Sequence, residues 1–381
     1  MTEKILGLNV IVGKGDVELL TRLLAACDAM ISFDEVVIVD TFGGVPDQFK
    51  PIRHEWTSER YPKGNFAAAR NKALDNTGSR WVMWLDCDDL PPLAAEIAEL
   101  KQMLKRTDRD FYFMPYLINK SKDGKYTSVF NRERIFRNNG KIRWKHPVHE
   151  QLELSCARTY GEIKNSAIRH DTLKPAIEGI TRNIDILQHE VDLGDTDPHT
   201  KFNYAKDLML RNSFEYSADD EAVALVMMQD LIDNHELSQD NLAMISAMVA
   251  QALAYKGGVL SQENRFEAEL YARICMSFGD KMAEPYVIVG DYMLSDKQIA
   301  IETAIDYYKT ALEKKPSGTS VCQLAFYVEL PAYRLSKIYQ QIRQYENALV
   351  YNAMVLRSNP SHEDAKKDRQ EILKCLNTSS L

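Results

Sequence analysis

The chain has 381 residues, of which 45% are hydrophobic and 27% are charged, and its formal net charge is −8. At roughly 150 residues per domain this length predicts two or three domains, and the composition excludes a disordered chain. No apolar run approaches the roughly 18 residues of a membrane span and the start lacks a signal-peptide pattern, so we expect a cytoplasmic protein.

The charge is unevenly distributed along the chain. Residues 1–175 hold 27 basic and 24 acidic residues, whereas the remainder holds 20 and 31. The segment Lys120–Lys145 has nine basic residues against two acidic ones. It could bind the phosphates of a nucleotide, a lipid or nucleic acid, or it could be a solvated loop. The six cysteines include no CxxC pair, which predicts reduced thiols that serve mostly in packing.

Strand and helix patterns alternate in the first part of the chain. They predict strands over 5–12, 35–40 and 80–86 and helices over 16–30 and 66–77. This order indicates a parallel sheet covered by helices, in which ligands bind at the carboxyl ends of the strands. Asp40 and Asp86 stand at two of those ends.

Further elements complete this first domain. We expect a helix over 93–106 and strands over 110–119, 132–138 and 166–170, with the segment "IRWKHPVHEQL" between the last two strands. From about residue 174 the pattern is helical only. The fold class is therefore an α/β domain over residues 1–175 followed by an all-α domain over 176–381.

The helical part contains a candidate repeat that ends at Pro360. Small and aromatic residues fall where a 34-residue tetratricopeptide unit has them: Ala332, Leu335, Ser336, Tyr339 and Ala348. Asn352 and Leu356 depart from that pattern. Generic helical hairpins are the alternative.

The stretch "WVMWLDCDDLPP" ends a buried strand with three carboxylates, Asp86, Asp88 and Asp89. Desolvated like charges are costly, and a divalent cation resolves that cost. Carboxylate oxygens suit Mg²⁺ or Mn²⁺, which also hold substrate phosphates. Acids after a strand also serve as helix caps, and Asp89 is a candidate for that role.

Other polar residues predict one nucleotide site at this sheet edge. Asp40 could accept a hydrogen bond from a base or ribose. Arg70, followed by Asn71, could pair with phosphate or a base carbonyl. The backbone at Val12 and Gly13, after the first strand, could approach a nucleotide closely.

Four segments in this order resemble the inverting family 2 glycosyltransferases with a GT-A (Rossmann-like) fold: "VVIVDTFGG", "NFAAARNKALDNTGSRWVMWLDCDD", "RERIFRNNGKIRWKHPVHEQL" and "IRH". The chain is most similar to the subgroup that carries tetratricopeptide-like repeats after the catalytic domain. The resemblance spans roughly residues 5–190 and, more loosely, the remainder.

The resemblance implies a UDP-sugar or related donor and a Mn²⁺ or Mg²⁺ cofactor. In the donor site Asp40 would contact uracil or ribose, Arg70 would hold the nucleotide, and Asp86 would lie near the ribose. Cys87 would be the variable middle residue of the Asp-x-Asp motif, and Asp88 and His170 would bind the metal.

The first loops depart from the family, with "VGKGD" for the usual Lys-Asn-Glu and "DTFGGV" for the common "DTGSTD". Asn65 stands where relatives often have Asp. The sugar and the base of the donor therefore stay open.

Glu150 falls where the family has its catalytic acid, and it would be the base that takes the acceptor proton. His149 is a competing candidate. Glu150 could instead be an ion-pair partner of a nearby arginine, and His170 a core histidine. Trp144 and His146 could line the acceptor or sugar pocket, although packing is the preferred role of Trp144.

Two other classes compete with a glycosyltransferase: a metal-dependent phosphotransferase and a non-catalytic repeat scaffold with a relic nucleotide-binding domain. The acceptor is a hydroxyl or thiol of a peptide, of a glycan or lipid-linked glycan, or of a hydroxylated DNA base gripped through its phosphates. The acidic helical part could form a homodimer.

Overall fold

The computed structural model describes residues 3–55, 64–120, 124–171, 176–212, 214–234, 237–256, 259–295, 301–315 and 322–379. The chain forms two compact units. The first comprises residues 1–118 and 131–227, and the second comprises residues 119–130 and 228–381. The domain boundary predicted at residue 175 stays a prediction.

The first unit is built on an α/β sheet. The elements that lie wholly or partly in it are β1 (Leu6–Val12), α1 (Val17–Ala26), α2 (Ala29–Ser32), β2 (Glu35–Asp40), β3 (Arg53–Glu55), α3 (Phe66–Asp75), β4 (Trp81–Asp86), β5 (Asp89–Leu90), α4 (Ala94–Arg106), β6 (Phe111–Lys120), β7 (Tyr126–Arg137), β8 (Trp144–Lys145), β9 (Gln151–Leu152), β10 (Tyr160–Glu162), β11 (Ile168–His170), α5 (Ala176–Asp192), α6 (Pro198–Asn212) and α7 (Ala218–Asp233). Residues 119–120 of β6, 126–130 of β7 and 228–233 of α7 belong to the second unit.

The strand order of the large sheet is β3-β2-β1-β4-β7-β6-β11-β5. Strands β3, β2, β1 and β4 run parallel, and β7 is antiparallel to β4. All seven residues of β1 are buried, as expected for a central strand with an apolar sequence. Val12 pairs with Asp40 and Ile11 with Asp86, so the polar strand ends share one edge.

The α/β class and the main strands and helices predicted from the sequence are confirmed, with three differences. The sheet is mixed and not purely parallel. The helix predicted over 16–30 is interrupted at Asp28, whose φ of 49° lies in the left-handed region. The short strands β3, β5, β8, β9 and β10 were not predicted, because two or three residues carry no periodicity.

The second unit is mainly helical. Its remaining elements are α8 (Gln239–Ala254), β12 (Tyr255–Lys256), β13 (Val259–Leu260), α9 (Arg265–Phe278), α10 (Glu284–Ser295), α11 (Ile301–Glu313), β14 (Cys322–Gln323), α12 (Glu329–Gln341), α13 (Tyr345–Ser358) and α14 (Glu363–Ser379). Helices pack mostly on their sequence neighbours, notably α8 on α9, α10 on α11 and α12 on α13. The expectation of helices only is corrected by the two-residue strands, which pair as β12 with β13 and β14 with β7.

The residues assigned to a repeat are buried along α12 and α13: Ala332, Leu335, Ser336, Tyr339 and Ala348. Asn352, which departs from the repeat pattern, is buried and donates to the Ala365 carbonyl at 2.8 Å. The tetratricopeptide assignment stays a prediction. In the part of the chain that the structure describes, no helix has the length and apolar composition to span a membrane.

Candidate active site

The loops after β1 and β2 contain the predicted donor residues Val12, Gly13 and Asp40. Asp40 is 1% exposed, and its carboxylate accepts backbone hydrogen bonds from Phe42, Gly43 and Val45 at 3.1, 2.9 and 2.9 Å. In this structure Asp40 therefore shapes the following loop. Its predicted contact with uracil or ribose stays a prediction.

The Val12–Gly13 backbone is tied to its surroundings. The Val12 carbonyl accepts from the Thr41 hydroxyl at 2.9 Å, and the Gly13 amide donates to the Asp16 carboxylate at 3.1 Å. A Cβ at Gly13 would lie 2.9 Å from Asp16 Oδ2, so a larger residue would disturb this turn. Asp16 thereby contributes a further acidic side chain to this loop.

Helix α3 begins at an N-cap and holds the loop that contains Glu150. Asn65 is the N-cap, and its side chain accepts from the Ala68 amide at 2.8 Å. The Asn71 amide donates to the Trp144 carbonyl at 3.0 Å and accepts from the Trp144 amide at 2.9 Å. Asn71 thus connects the helix to strand β8, a structural role that the sequence did not indicate.

Arg70 is the central cation of the site. Its Nε donates to Glu150 Oε1 and its Nη2 to Asp86 Oδ1, both at 2.5 Å. The side chain is 6% exposed, and its guanidinium lies over the rings of Trp84 and Trp144, at 4.4 and 5.1 Å from their centroids. Burial alone would raise the pKa of Asp86, but Arg70 and then Arg134 hold it well below its usual range.

The ion pair between Arg70 and Glu150 is the one that the sequence analysis gave as an alternative role for Glu150. The pair engages Glu150 Oε1, one of the two carboxylate oxygens. Trp144 is 4% exposed and packs edge-on against Trp84, so it has the packing role that was preferred for it.

The middle residue of the Asp-x-Asp segment, Cys87, is buried. The Cys87 thiol is buried and donates to the Ile11 carbonyl at 3.2 Å, and burial raises its pKa. Burial followed by the neighbouring Asp86 and Asp89 raises the pKa of Asp88 to about 6, although His170 lowers it. Burial would lower the pKa of His170, but Asp89 and Asp88 raise it above its usual value.

Asp89 is not a helix cap, so the alternative role that the sequence allowed for it is wrong. It lies in β5, is 0% exposed, and pairs with Arg134 at 3.1 Å. It also accepts from Tyr116 Oη at 2.9 Å and from the Asp86 amide at 3.0 Å. Leu93 is the residue that precedes helix α4, and its amide donates to Glu96 at 2.7 Å.

The side chains of Asp88, Asp89 and His170 could bind a cation. One potential ligand atom from each lies within 4.8 Å of the others, and His170 Nδ1 is 3.5 Å from an oxygen of each carboxylate. Two carboxylates and an imidazole suit Mn²⁺ or Mg²⁺. Because Asp89 is committed to Arg134, Asp88 and His170 are the residues best able to serve as ligands.

The His146–Glu150 loop has an unusual backbone. His146 and His149 have φ values of 64° and 51°, in the left-handed region. The His149 ring lies against helix α6, where its Nε2 is 2.5 Å from Asp207 Oδ2. The His146 ring stacks on His199 at 4.0 Å between centroids. Burial and then the neighbouring His146 lower the pKa of His199 to about 3.

Three site residues were missed in the sequence: Arg134, Asp207 and Arg182. Arg134 is fully buried under Asp89, and its guanidinium carbon lies 3.9 Å from the centroid of the Trp84 ring. Arg182, on α5, is exposed, and the carboxylates of Glu150, Asp16, Asp86 and Asp88 act on it electrostatically. A helix-borne arginine carries no local signal, because surface helices are rich in arginine.

The basic segment Lys120–Lys145 is not a continuous solvated patch in its described part; residues 121–123 lie outside the described residues. Arg132 donates to the Glu150 carbonyl, Arg137 to the Thr107 carbonyl, and Arg143 pairs with Asp75. Most cations of the segment therefore bind groups of this protein.

Comparison with known proteins supports an enzyme. Residues 17–154, which include Asp40, Arg70, Asp86, Asp88 and Glu150, match the "Glycosyl transferase family 2" sequence model. The SPbeta prophage-derived glycosyltransferase SunS of Bacillus subtilis is 22% identical over 313 residues, 74% of this chain and 70% of that protein.

Among solved structures, S. aureus TarS 1-349 is 12% identical with a TM-score of 0.38, covering 77% of this chain and 93% of that one. Glucosyl-3-phosphoglycerate synthase from Mycobacterium tuberculosis, in complex with Mn²⁺ and UDP-glucose, is 10% identical with a TM-score of 0.33. The match covers 51% of this chain and 81% of that one. The sequence match identifies residues 17–154, which lie on the α/β sheet, as a glycosyltransferase family 2 domain.

Proposed function

We propose that this glycosyltransferase transfers a sugar from a nucleoside diphosphate sugar, most simply a UDP-sugar, with inversion at the anomeric carbon. The observation that carries the proposal is the pairing of Arg70 with both Asp86 and Glu150 at 2.5 Å. Arg70 thereby joins the candidate donor residue and the candidate base in one site.

On the donor side, Asp88 and His170 would hold Mn²⁺ or Mg²⁺, which supplies positive charge for the departing diphosphate. Arg182 is a further candidate contact for that diphosphate. Its guanidinium carbon lies 4.7 Å from the centroid of the Phe66 ring, and among the described residues no carboxylate forms an ion pair with it. A guanidinium matches phosphate oxygens in geometry and charge.

On the acceptor side, Glu150 would take the acceptor proton during attack. In an inverting transfer the acceptor approaches from the face opposite the diphosphate, so the base belongs on the other side of the sugar from the cation. Arg70 donates to Oε1 of Glu150. The second carboxylate oxygen, Oε2, would be the proton acceptor.

The acceptor stays open among a peptide, a glycan or lipid-linked glycan, and a hydroxylated DNA base. Because cations of the Lys120–Lys145 segment bind groups of this protein, the segment adds little support for DNA. Indifference of transfer to added DNA and to salt would remove the DNA acceptor. The predicted homodimer is testable by light scattering, and the cytoplasmic location remains a sequence-based prediction.

Calorimetric titration of UDP with and without Mn²⁺ tests the donor site. We expect metal-dependent binding that is lost in Asp88→Ala and retained in Asp75→Ala, a control because Asp75 only forms an exposed pair with Arg143. If neither UDP nor GDP, CMP or dTDP binds, the nucleotide-sugar proposal fails and a scaffold is favoured. Phosphate release without a sugar donor would favour a phosphotransferase.

A further inference from the structure

We propose that Asp207 and His149 form a positioning pair that fixes the Glu150 carboxylate, so that helix α6 is part of the catalytic apparatus. The inference rests on the proposed function in which Glu150 is the base. It also assigns His149, the competing candidate for the base, a different role.

The contact is short, and its carboxylate partner is buried. His149 Nε2 and Asp207 Oδ2 are 2.5 Å apart, and the side chains of His149 and Asp207 are 24% and 1% exposed. Because the carboxylate oxygen is the acceptor, Nε2 carries the hydrogen and donates it to Asp207. Burial and then Lys206 lower the pKa of His149, which favours the neutral ring with its hydrogen on this nitrogen. Removing His149 would leave the buried Asp207 carboxylate without this partner.

The pair lies beside a backbone that needs support. His146 and His149 both adopt left-handed φ values, which persist in residues other than glycine only where the surroundings impose them. Helix α6 contacts this loop at a second point, where His199 Nε2 donates to the His149 carbonyl at 3.0 Å. The next carbonyl, that of Glu150, accepts from Arg132 at 3.0 Å.

Glu150 is therefore fixed at its backbone by α6 on one side and by Arg132 on the other, and at its side chain by Arg70. Loss of the Asp207 contact would release the His149 ring and let the strained loop relax. The Glu150 carboxylate would then move relative to Arg70. Among the candidate donor residues, Asp86 ends β4, Asp88 lies in the turn after it and His170 ends β11. Their hydrogen bonds and ion pairs are with residues other than His149 and Asp207.

The first test uses the 381-residue chain and Asp207→Ala, with Asp207→Leu as the second variant, which keeps the volume but removes the acceptor, if the alanine variant does not fold. Asp220→Ala is the matched control, because Asp220, on α7, pairs at 2.6 Å with Arg211, which lies on α6 as Asp207 does. Crystal structures of the variants should show Glu150 displaced from Arg70 in the Asp207 variants only. An unmoved Glu150 would overturn the proposal.

The second test measures UDP release from UDP-glucose with Mn²⁺ and water as the acceptor. In this reaction the bond from the anomeric carbon to the diphosphate breaks, a bond to water oxygen forms, and the water proton passes to Glu150. We expect a fall on the order of 10- to 100-fold in Asp207→Ala, because small displacements of a reacting group are costly. Affinity for UDP with Mn²⁺ should stay within about twofold, since the donor residues are not moved.

A double-mutant cycle separates this role from the alternatives. If the pair acts through Glu150, Asp207→Ala should have almost no further effect in the Glu150→Gln background. An equal loss in both backgrounds would contradict the proposal and make His149 itself the base. Failure of the wild-type protein to bind UDP would instead refute the proposed function, so the two failures are distinguishable.

Discussion

At the scale of single residues, Arg70 stabilises a site that would otherwise be destabilised by its own charges. It is 6% exposed and pairs with Glu150, whose side chain is 10% exposed, and with Asp86, whose side chain is 34% exposed. The same contacts join the candidate donor residue Asp86 to the candidate base Glu150. We therefore expect both stability and the proposed activity to depend on this guanidinium.

We expect Arg70→Ala to lower the free energy of unfolding by about 3–5 kcal/mol, because it leaves the buried carboxylate of Glu150 uncompensated. Urea denaturation measures the change. The control Arg143→Ala removes an exposed pair with Asp75 and should cost no more than about 1 kcal/mol. Adding Glu150→Gln to Arg70→Ala should recover part of the loss, and a further loss would show that stranded charge is not the cause.

Arg182 should contribute to diphosphate binding. A hydrogen bond to a charged group contributes about 1.5–3 kcal/mol, so Arg182→Ala should weaken UDP binding roughly tenfold or more. Binding of uridine, which lacks the phosphates, should be unchanged. Arg158→Ala is the control, because Arg158 is exposed and precedes β10, which pairs with the first residues of β6. An equal effect on UDP and uridine would place Arg182 outside the diphosphate site.

At the scale of elements, helix α3 connects the sheet, the Arg70 site and strand β8. Its start is the Asn65 cap, and one turn later it carries Arg70 and Asn71. The hydrogen bond of the Asn65 side chain explains why Asn can stand where related sequences often have Asp. Both Asn and Asp accept a hydrogen bond from the first turn of a helix.

Asn65→Ala should therefore destabilise the protein by about 1 kcal/mol through loss of the cap. Asn65→Asp should be at least as stable as the wild type, because a negative charge at a helix N-terminus is favourable. Thermal unfolding of the three proteins compares them. A stable alanine variant would mean that tertiary contacts alone hold the start of α3.

At the scale of the whole molecule, each compact unit has its own core. In the first, Trp84, Phe136 and Trp144 belong to a cluster on the sheet, and in the second, Tyr308 and Leu335 belong to a cluster among the helices. Multidomain proteins with separate cores commonly unfold in more than one step.

Scanning calorimetry should show two unfolding transitions, and UDP with Mn²⁺ should raise the midpoint temperature of only the transition that belongs to the first unit. Leu335→Ala, at a fully buried position, should lower the midpoint temperature of the other transition, because it lowers the free energy of unfolding by about 2–5 kcal/mol. Leu373→Ala, at a position that is 40% exposed in the same unit, should change little. A single transition that shifts in both experiments would show one cooperative unit.

The sequence by itself determined the class of fold and the edge of the sheet that the candidate residues at the strand ends share. Buried strands and amphipathic helices have strong local periodicities, and the carboxyl ends of parallel strands meet at one edge. Asp40, Asp86 and Asp88 could thus be assigned to one place from their positions at the ends of apolar runs. The "HPVHE" segment was also recognisable, because it resembles the segment in which family 2 glycosyltransferases have their catalytic acid.

Only the tertiary structure decided how the side chains are partnered. His149 and Asp207 are 58 positions apart, and Arg70 and Glu150 are 80 apart. Asp89 forms a buried pair with Arg134 where the sequence allowed a helix cap. Such pairs depend on which surfaces pack together, and long-range packing has no local periodicity from which it could be predicted.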